Sequence, residues 1–193
     1  MGGRQVQNRG TMAGNVCNAS PAADGVPPLL TLDARVGIAS LRGQRSMGLG
    51  DFIVGNRRTA LAEDELVTAI QVPEQSPGAR SIFLKLGARS YLLISIVSVA
   101  TLVKLDAEGR IAEAAVAVGA CSAVPVRLAA LERSLAGARV EDIAQRLTDQ
   151  HLSSALAPID DVRGSADYRS HAAGVLVRRA LVQSFTNSAQ AAA

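Results

Sequence analysis

Residues 7–24 read QNRGTMAGNVCNASPAAD. The stretch holds Gly10 and Gly14, three asparagines, Thr11 and Ser20, and closes on Pro21 and Asp24. Glycine lets a backbone take positive φ and approach a ligand closely, and free amides in such a turn form a concavity suited to anions. Thr11, Asn15, Asn18 and Ser20 add neutral donors, and Asp24 adds an acceptor suited to a ribose or ribityl hydroxyl. That combination suits a nucleotide cofactor held by hydrogen bonds. The residues alone also allow a surface loop that closes on itself through Asx-turns. The pattern matches neither G-x-x-x-x-G-K-[ST] nor G-x-G-x-x-G.

Composition narrows the function classes. The 193 residues are 48% apolar and only 3% aromatic, and 20 Lys and Arg against 17 Asp and Glu leave a net charge of +3. The basic residues are scattered and are not interleaved with stacking aromatics, which argues against nucleic-acid binding. MGGRQVQNRG lacks the apolar core of a secretory signal. The longest apolar run, Tyr91 to Val103, falls short of the roughly 20 residues that span a bilayer. A cytoplasmic protein without a membrane span is expected, with Cys17 and Cys121 as thiols. Two cysteines cannot hold an iron–sulfur cluster that needs four thiolates. His151 and His171 lack zinc-type spacing, so capping or solvated roles are expected and no metal site is assigned.

Ten of the 17 glycines fall within residues 1–55, marking a loop-rich first part. Leu29–Leu32 and Ala34–Ser40 read as short buried segments joined on through LRGQR. AEDELVTAIQVP reads as an acidic turn and a strand, with Leu66, Thr68 and Ile70 on one face and Val67, Ala69 and Gln71 on the other. PEQSPG, residues 73–78, is the candidate boundary. A strand over Arg80–Ala88, the run LISIVSVATLVKL and the run RIAEAAVAVGA after the turn DAEG predict three antiparallel strands. A helix is expected from a Ser122 cap with Pro125 in its first turn, burying Val124, Leu128, Leu131 and Leu135 as far as Gly137. A short second helix places Val140, Ile143, Ala144 and Leu147 on one side. A third, about Ser165 to Phe185, turns Ala173, Leu176, Val177, Ala180 and Leu181 inward and Arg178 and Arg179 outward. The expected fold is α+β, with domains at 1–76 and 77–187 and a disordered tail at 188–193.

The wording of residues 7–24 resembles the second flavin-binding segment of the FAD-binding medium subunit in the molybdenum hydroxylases, the xanthine dehydrogenase and carbon monoxide dehydrogenase family. That segment is usually close to R-N-x-G-T-[IL]-G-G-N-[IL]-x-x-A-S-P-x-[AS]-D, and the main departure is Ala13 in place of glycine. DFIVGNRRTALAEDELVTAIQVP and FLKLGAR resemble the family's following segments, so the likeness covers nearly the whole chain. It implies a partial FAD-binding subdomain followed by a three-stranded antiparallel sheet and a three-helix C-terminal bundle.

Carried over by position, the resemblance assigns the FAD phosphates to Thr11, Gly14 and Asn15, the same cleft to Asn18 and Ser20, and the ribityl or ribose hydroxyls to Asp24. It sets Val67 against the isoalloxazine, Lys85 near a flavin carbonyl, and Arg89 and Tyr91 at the ring's open edge. Read without the resemblance, Val67 is core, Lys85 and Arg89 are solvated strand charges, and Tyr91 anchors the sheet. No residue is expected to act as an acid, base or nucleophile, because the flavin supplies the chemistry. The implied partners are a molybdenum-cofactor large subunit and a [2Fe–2S] small subunit, which hold those cofactors. The start MGGRQ resembles the interior of the family, whose site also uses an upstream subdomain of about a hundred residues. A missing segment or a separate chain is expected to complete the FAD site. The alternative is a flavin-free docking module of such a complex.

Overall fold

The computed structural model describes residues 3–89 and 93–190, with side chains as far as Phe185. Its first half opens with two short helices, α1 (Arg4–Arg9) and α2 (Met12–Cys17), where a glycine-rich loop was expected. Thr11 makes the second one: its backbone is extended, and its Oγ accepts from Gly14 N at 2.9 Å, satisfying one of the orphan amides of a helix start. Helix α3 (Val26–Thr31) follows with prolines in its first turn, where a missing N–H costs nothing. Strands β1 (Arg35–Ser40) and β2 (Gly43–Gly48) form a hairpin. Next come α4 (Leu49–Phe52), the small ladder of β3 (Ile53–Gly55) and β4 (Arg58–Thr59), and β5 (Leu66–Gln71), which returns to pair with β1.

The expected faces of β5 are corrected by a bulge. Val36 lies opposite Ile70 and Ile38 opposite Val67, which leaves Thr68 as the extra residue where the register shifts between Gly37 and Ile38. Val67 and Ile70, three apart, therefore both pack on the first core, whereas Leu66 and Thr68 are exposed.

The second half is a four-stranded antiparallel sheet in the order β6 (Arg80–Leu86), β7 (Val97–Leu105), β8 (Ile111–Gly119) and β9 (Val126–Arg127). The three expected strands are present, and β9 is the addition. Pairing of Val118 with Val126 and Ala117 with Arg127 draws those residues into the sheet. As a result α5 (Ala129–Leu135) begins later than the Ser122 cap predicted. Ser122 instead donates to Cys121 O at 2.6 Å and accepts from Ala157 N at 3.0 Å.

A 3-10 turn (Val140–Asp142), α6 (Ile143–Arg146) and α7 (Asp149–Ser153) lead into α8 (Ala166–Gln190). Where a three-helix bundle is expected, the described residues form four α-helices, α5 to α8. With α6 a single turn long, Ile143 and Leu147 are buried but Ala144 is exposed. His151 caps α7 by accepting from Thr148 N at 3.3 Å. Along α8 the inward stripe of Ala173, Leu176, Val177, Ala180 and Leu181 is buried as expected, with Arg178 and Arg179 outside. The helix is described as far as Gln190. Among the described residues no helix is long and apolar enough to cross a membrane.

Strand β7 is buried along most of its length because both faces are covered. Val99, Val103, Val116 and Val118 belong to the core shared with α8, whereas Ala117 belongs to the core of the first half, into which α3 also packs. On that side Gly119 sits so close to Ser98 and Pro27 that an added Cβ would lie 2.5 Å from Ser98 Oγ and 2.9 Å from Pro27 Cγ. Arg127 ties the same seam, donating from Nη1 to Leu30 O and Asp33 Oδ1, each at 2.8 Å, while its Nε donates to Glu132 Oε1 at 2.6 Å. Both thiols are free. Burial pushes the Cys121 thiol up to about 11 and raises that of half-buried Cys17. Gly119→Ala should destabilise the chain by about 1–3 kcal/mol through overpacking at the helix–sheet seam. Chemical denaturation would measure it, and an unchanged midpoint would show that α3 can move away freely.

Candidate cofactor site

The N-terminal residues singled out in the sequence are joined by short polar contacts. Asn15, on α2, accepts through Oδ1 from Gly25 N at 3.2 Å. A Cβ at 25 would lie 2.7 Å from that same oxygen, so a larger residue there would push the Asn15 side chain aside. Asp24 is thereby placed beside Lys85 of β6: Lys85 Nζ donates to Asp24 Oδ2 at 2.5 Å and to Leu93 O at 3.2 Å. The other carboxylate oxygen accepts from Ser95 Oγ at 2.5 Å. Ser20 Oγ accepts from Ala22 N at 3.3 Å and shapes the turn between α2 and Asp24. Asn18 ends α2 and accepts from the Arg57 guanidinium, while Arg57 N donates to Ala19 O at 2.9 Å.

Strand β5 supplies a wall against which α2 packs, and the bulge turns Val67 onto it. The turn entering β5 is fixed by Glu65. Its carboxylate accepts from Arg45 Nε at 2.8 Å, Arg45 Nη2 at 2.6 Å and Ala62 N at 2.9 Å. The hydrogen bonds from Arg45, with the Ala62 amide, hold the Glu65 carboxyl down at about 2. Arg89 stands exposed just beyond β6, and Tyr91 lies outside the described residues. A cavity of about 300 Å³ at the seam, lined by Leu30, Asp33, Arg35, Leu49 and Arg127 among others, contains none of the candidate residues.

Sequence reasoning missed Ser95 and Arg57. Ser95 is fully buried at the start of an apolar run, and that mismatch was its only signal. Arg57 sits in a turn with φ +57° and carried none.

Comparison with known proteins gives this geometry a setting. Residues 83–184 match the CO dehydrogenase flavoprotein C-terminal domain, more than half of the chain, and residues 1–75 match the FAD binding domain in molybdopterin dehydrogenase. The chain belongs to the flavoprotein family of the molybdopterin dehydrogenases. Among its relatives, the nicotinate dehydrogenase FAD-subunit of Eubacterium barkeri is 37% identical over 141 residues, which is 72% of this chain and 48% of that protein. The glyceraldehyde dehydrogenase medium chain of Sulfolobus acidocaldarius is 33% identical over 182 residues, covering 93% of this chain and 63% of the relative. CO dehydrogenase from Oligotropha carboxidovorans shares the fold, with a TM-score of 0.89 at 24% identity over 96% of this chain and 64% of its own. The chain thus spans roughly half to two-thirds of the length of these relatives.

Among the described residues, the side-chain N–H₂ groups of Asn15 and Asn18 and the hydroxyl protons of Thr11 and Ser20 are not used by the contacts given above, a neutral set of the kind that meets phosphate and hydroxyl oxygens. The β5 wall depends on Glu65, whose folded carboxyl lies below the value of about 4.3 of an unfolded chain. Its contribution to stability is therefore present above pH ~4.3 and is lost as pH falls toward about 2. Glu65→Gln should be less stable than wild type at pH 7, and the gap in urea midpoint should close over that acid range. A gap that stays constant to pH 2 would show that Glu65 is not held by its charge.

Proposed function

We propose that this chain is the FAD-binding electron-transfer subunit of a molybdenum-containing hydroxylase or dehydrogenase, passing electrons from iron–sulfur clusters to an external acceptor. The observation that carries the reading is the Asp24 carboxylate, fixed between Lys85 and Ser95 and joined through Gly25 to the Asn15 helix. Thr11, Gly14 and Asn15 would face the FAD phosphates, with Asn18 and Ser20 along the same cleft. Asp24 would accept from ribityl or ribose hydroxyls while keeping its two protein donors, since each carboxylate oxygen has a second lone pair. Val67 would present backbone and side chain to the isoalloxazine. Lys85 would bring a cation to a flavin carbonyl, with Arg89 and Tyr91 at the ring's edge. FAD, when bound, supplies the capacity to take up and release electrons, and the residues supply position and electrostatics.

The partners in this reading are a molybdenum-cofactor large subunit and a [2Fe–2S] small subunit, which carry their own cofactors. Names such as "medium chain" and "FAD-subunit" among the relatives support a multi-subunit setting, and a cytoplasmic location accords with it. Asp24→Asn should weaken FAD binding by about tenfold or more, the loss of a charge-assisted acceptor. Flavin fluorescence quenching on titration of the full chain would measure this. Equal affinity in the two proteins would remove Asp24 from the site, and wild-type protein that retains no flavin after desalting would favour the docking-module reading.

A further inference from the structure

Arg169, on the first turn of α8, is a guanidinium with 1% of its surface exposed. Nη1 donates to Ile96 O at 3.0 Å and Ala120 O at 2.8 Å, Nη2 donates to Asp161 Oδ1 at 2.5 Å, and Nε is buried without an acceptor. A buried charge with an unused donor is costly, so its location calls for a reason beyond packing.

The two carbonyls that it grips lie just past the last rung of the β7–β8 ladder, which ends at Ser98 opposite Gly119. Each belongs to a segment that reaches the candidate site. Ala120, held at φ +65°, donates its N–H to Pro21 O at 2.9 Å. Ile96 N donates to Leu86 O at 2.9 Å, next to Lys85, and the preceding residue, Ser95, donates to Asp24. One guanidinium therefore fixes both supports of the Pro21–Asp24 turn, one through Ala120 and the other through Ser95. Asp161 holds it in place and is itself held by Arg163, whose Nη2 donates at 2.5 Å and N at 2.8 Å.

We propose that Arg169 is a positioning residue that clamps the end of the β7–β8 hairpin and thereby holds the Pro21–Asp24 turn against Lys85. The consequence for flavin rests on the function proposed above, but the clamp itself does not. The Arg169→Lys variant of the full chain keeps the charge and cannot meet all three acceptors in the same fork. Hydrogen exchange should accelerate by about tenfold or more at the amides of Ala120, Ala23 and Gly25, while those of Leu131 and Leu135 on α5 stay protected. FAD affinity, measured at a temperature where the variant is fully folded, should fall about tenfold.

Uniform acceleration at every amide, or a lower thermal midpoint with exchange at Ala23 and Gly25 unchanged, would reduce Arg169 to a structural residue and overturn the proposal. If Arg169→Lys does not fold, Asp161→Asn frees the guanidinium without changing side-chain volume and should give the same local pattern at smaller size; no local pattern would overturn it equally. Wild-type protein that binds no FAD would defeat the flavin reading alone, because the exchange pattern is read without flavin.

Discussion

The close seat of α3 on the β7–β8 ladder is the constraint on which the rest of the structure depends. Ser98, Ala100, Ala117 and Gly119 are all small, and Ser98 pairs with Gly119 as Ala100 pairs with Ala117. The opposite face carries Val99, Val103, Val116 and Val118 against α8. The hairpin thus offers bulk to one helix and a shallow bed to the other. This asymmetry lets one pair of strands serve two cores, and it delivers Asp24, two residues before α3, to within reach of β6. A larger residue on the shallow side would move the turn at 21–25 away from the lysine that meets it.

Much of this was legible from periodicity and wording. The strands β6 to β8 and the inward stripe of α8 followed from β-branched runs and from helical spacing, because burial on one continuous face is a local property of sequence. The late start of α5 did not follow. Val126 and Arg127 read as a first helical turn after Pro125 until the free edge of β8 claims them, and only tertiary pairing decides between the two. Thr68 raised the same difficulty, since alternation over six residues reads as a regular strand and a bulge appears only when β1 is set beside it. In the opening segment the hydrogen-bonding chemistry was legible, but its conformation was not: Thr11 could close a loop or start a helix, and Gly14 N settles it.

The candidate site shows how few charges are needed to hold it. Between α1 and Asp24 the segment contains no lysine or acidic residue; its order comes from a threonine cap, an asparagine reaching a glycine amide, and a serine turn. Charge enters from outside the segment, as the Arg57 guanidinium on Asn18 and, where the two halves meet, as Lys85 against Asp24, with side chains 17% and 20% exposed. At that burial the pair is shielded from salt more than a surface pair is, and the serine and the Leu93 carbonyl take up part of the remaining hydrogen-bonding capacity. Such a site is set before any ligand arrives, which reduces the ordering cost of binding.

Cys121 closes the end of β8 with no exposed surface and a thiol that ionises only near pH 11. Only the thiolate reacts readily with alkylating reagents, so at neutral pH this sulfur is chemically silent while the second half stays shut. Cys17 lies half-buried on α2 in the first half. The chain therefore carries two built-in clocks of unequal speed, one in each half. Their labelling rates would tell whether the two cores open together or one after the other.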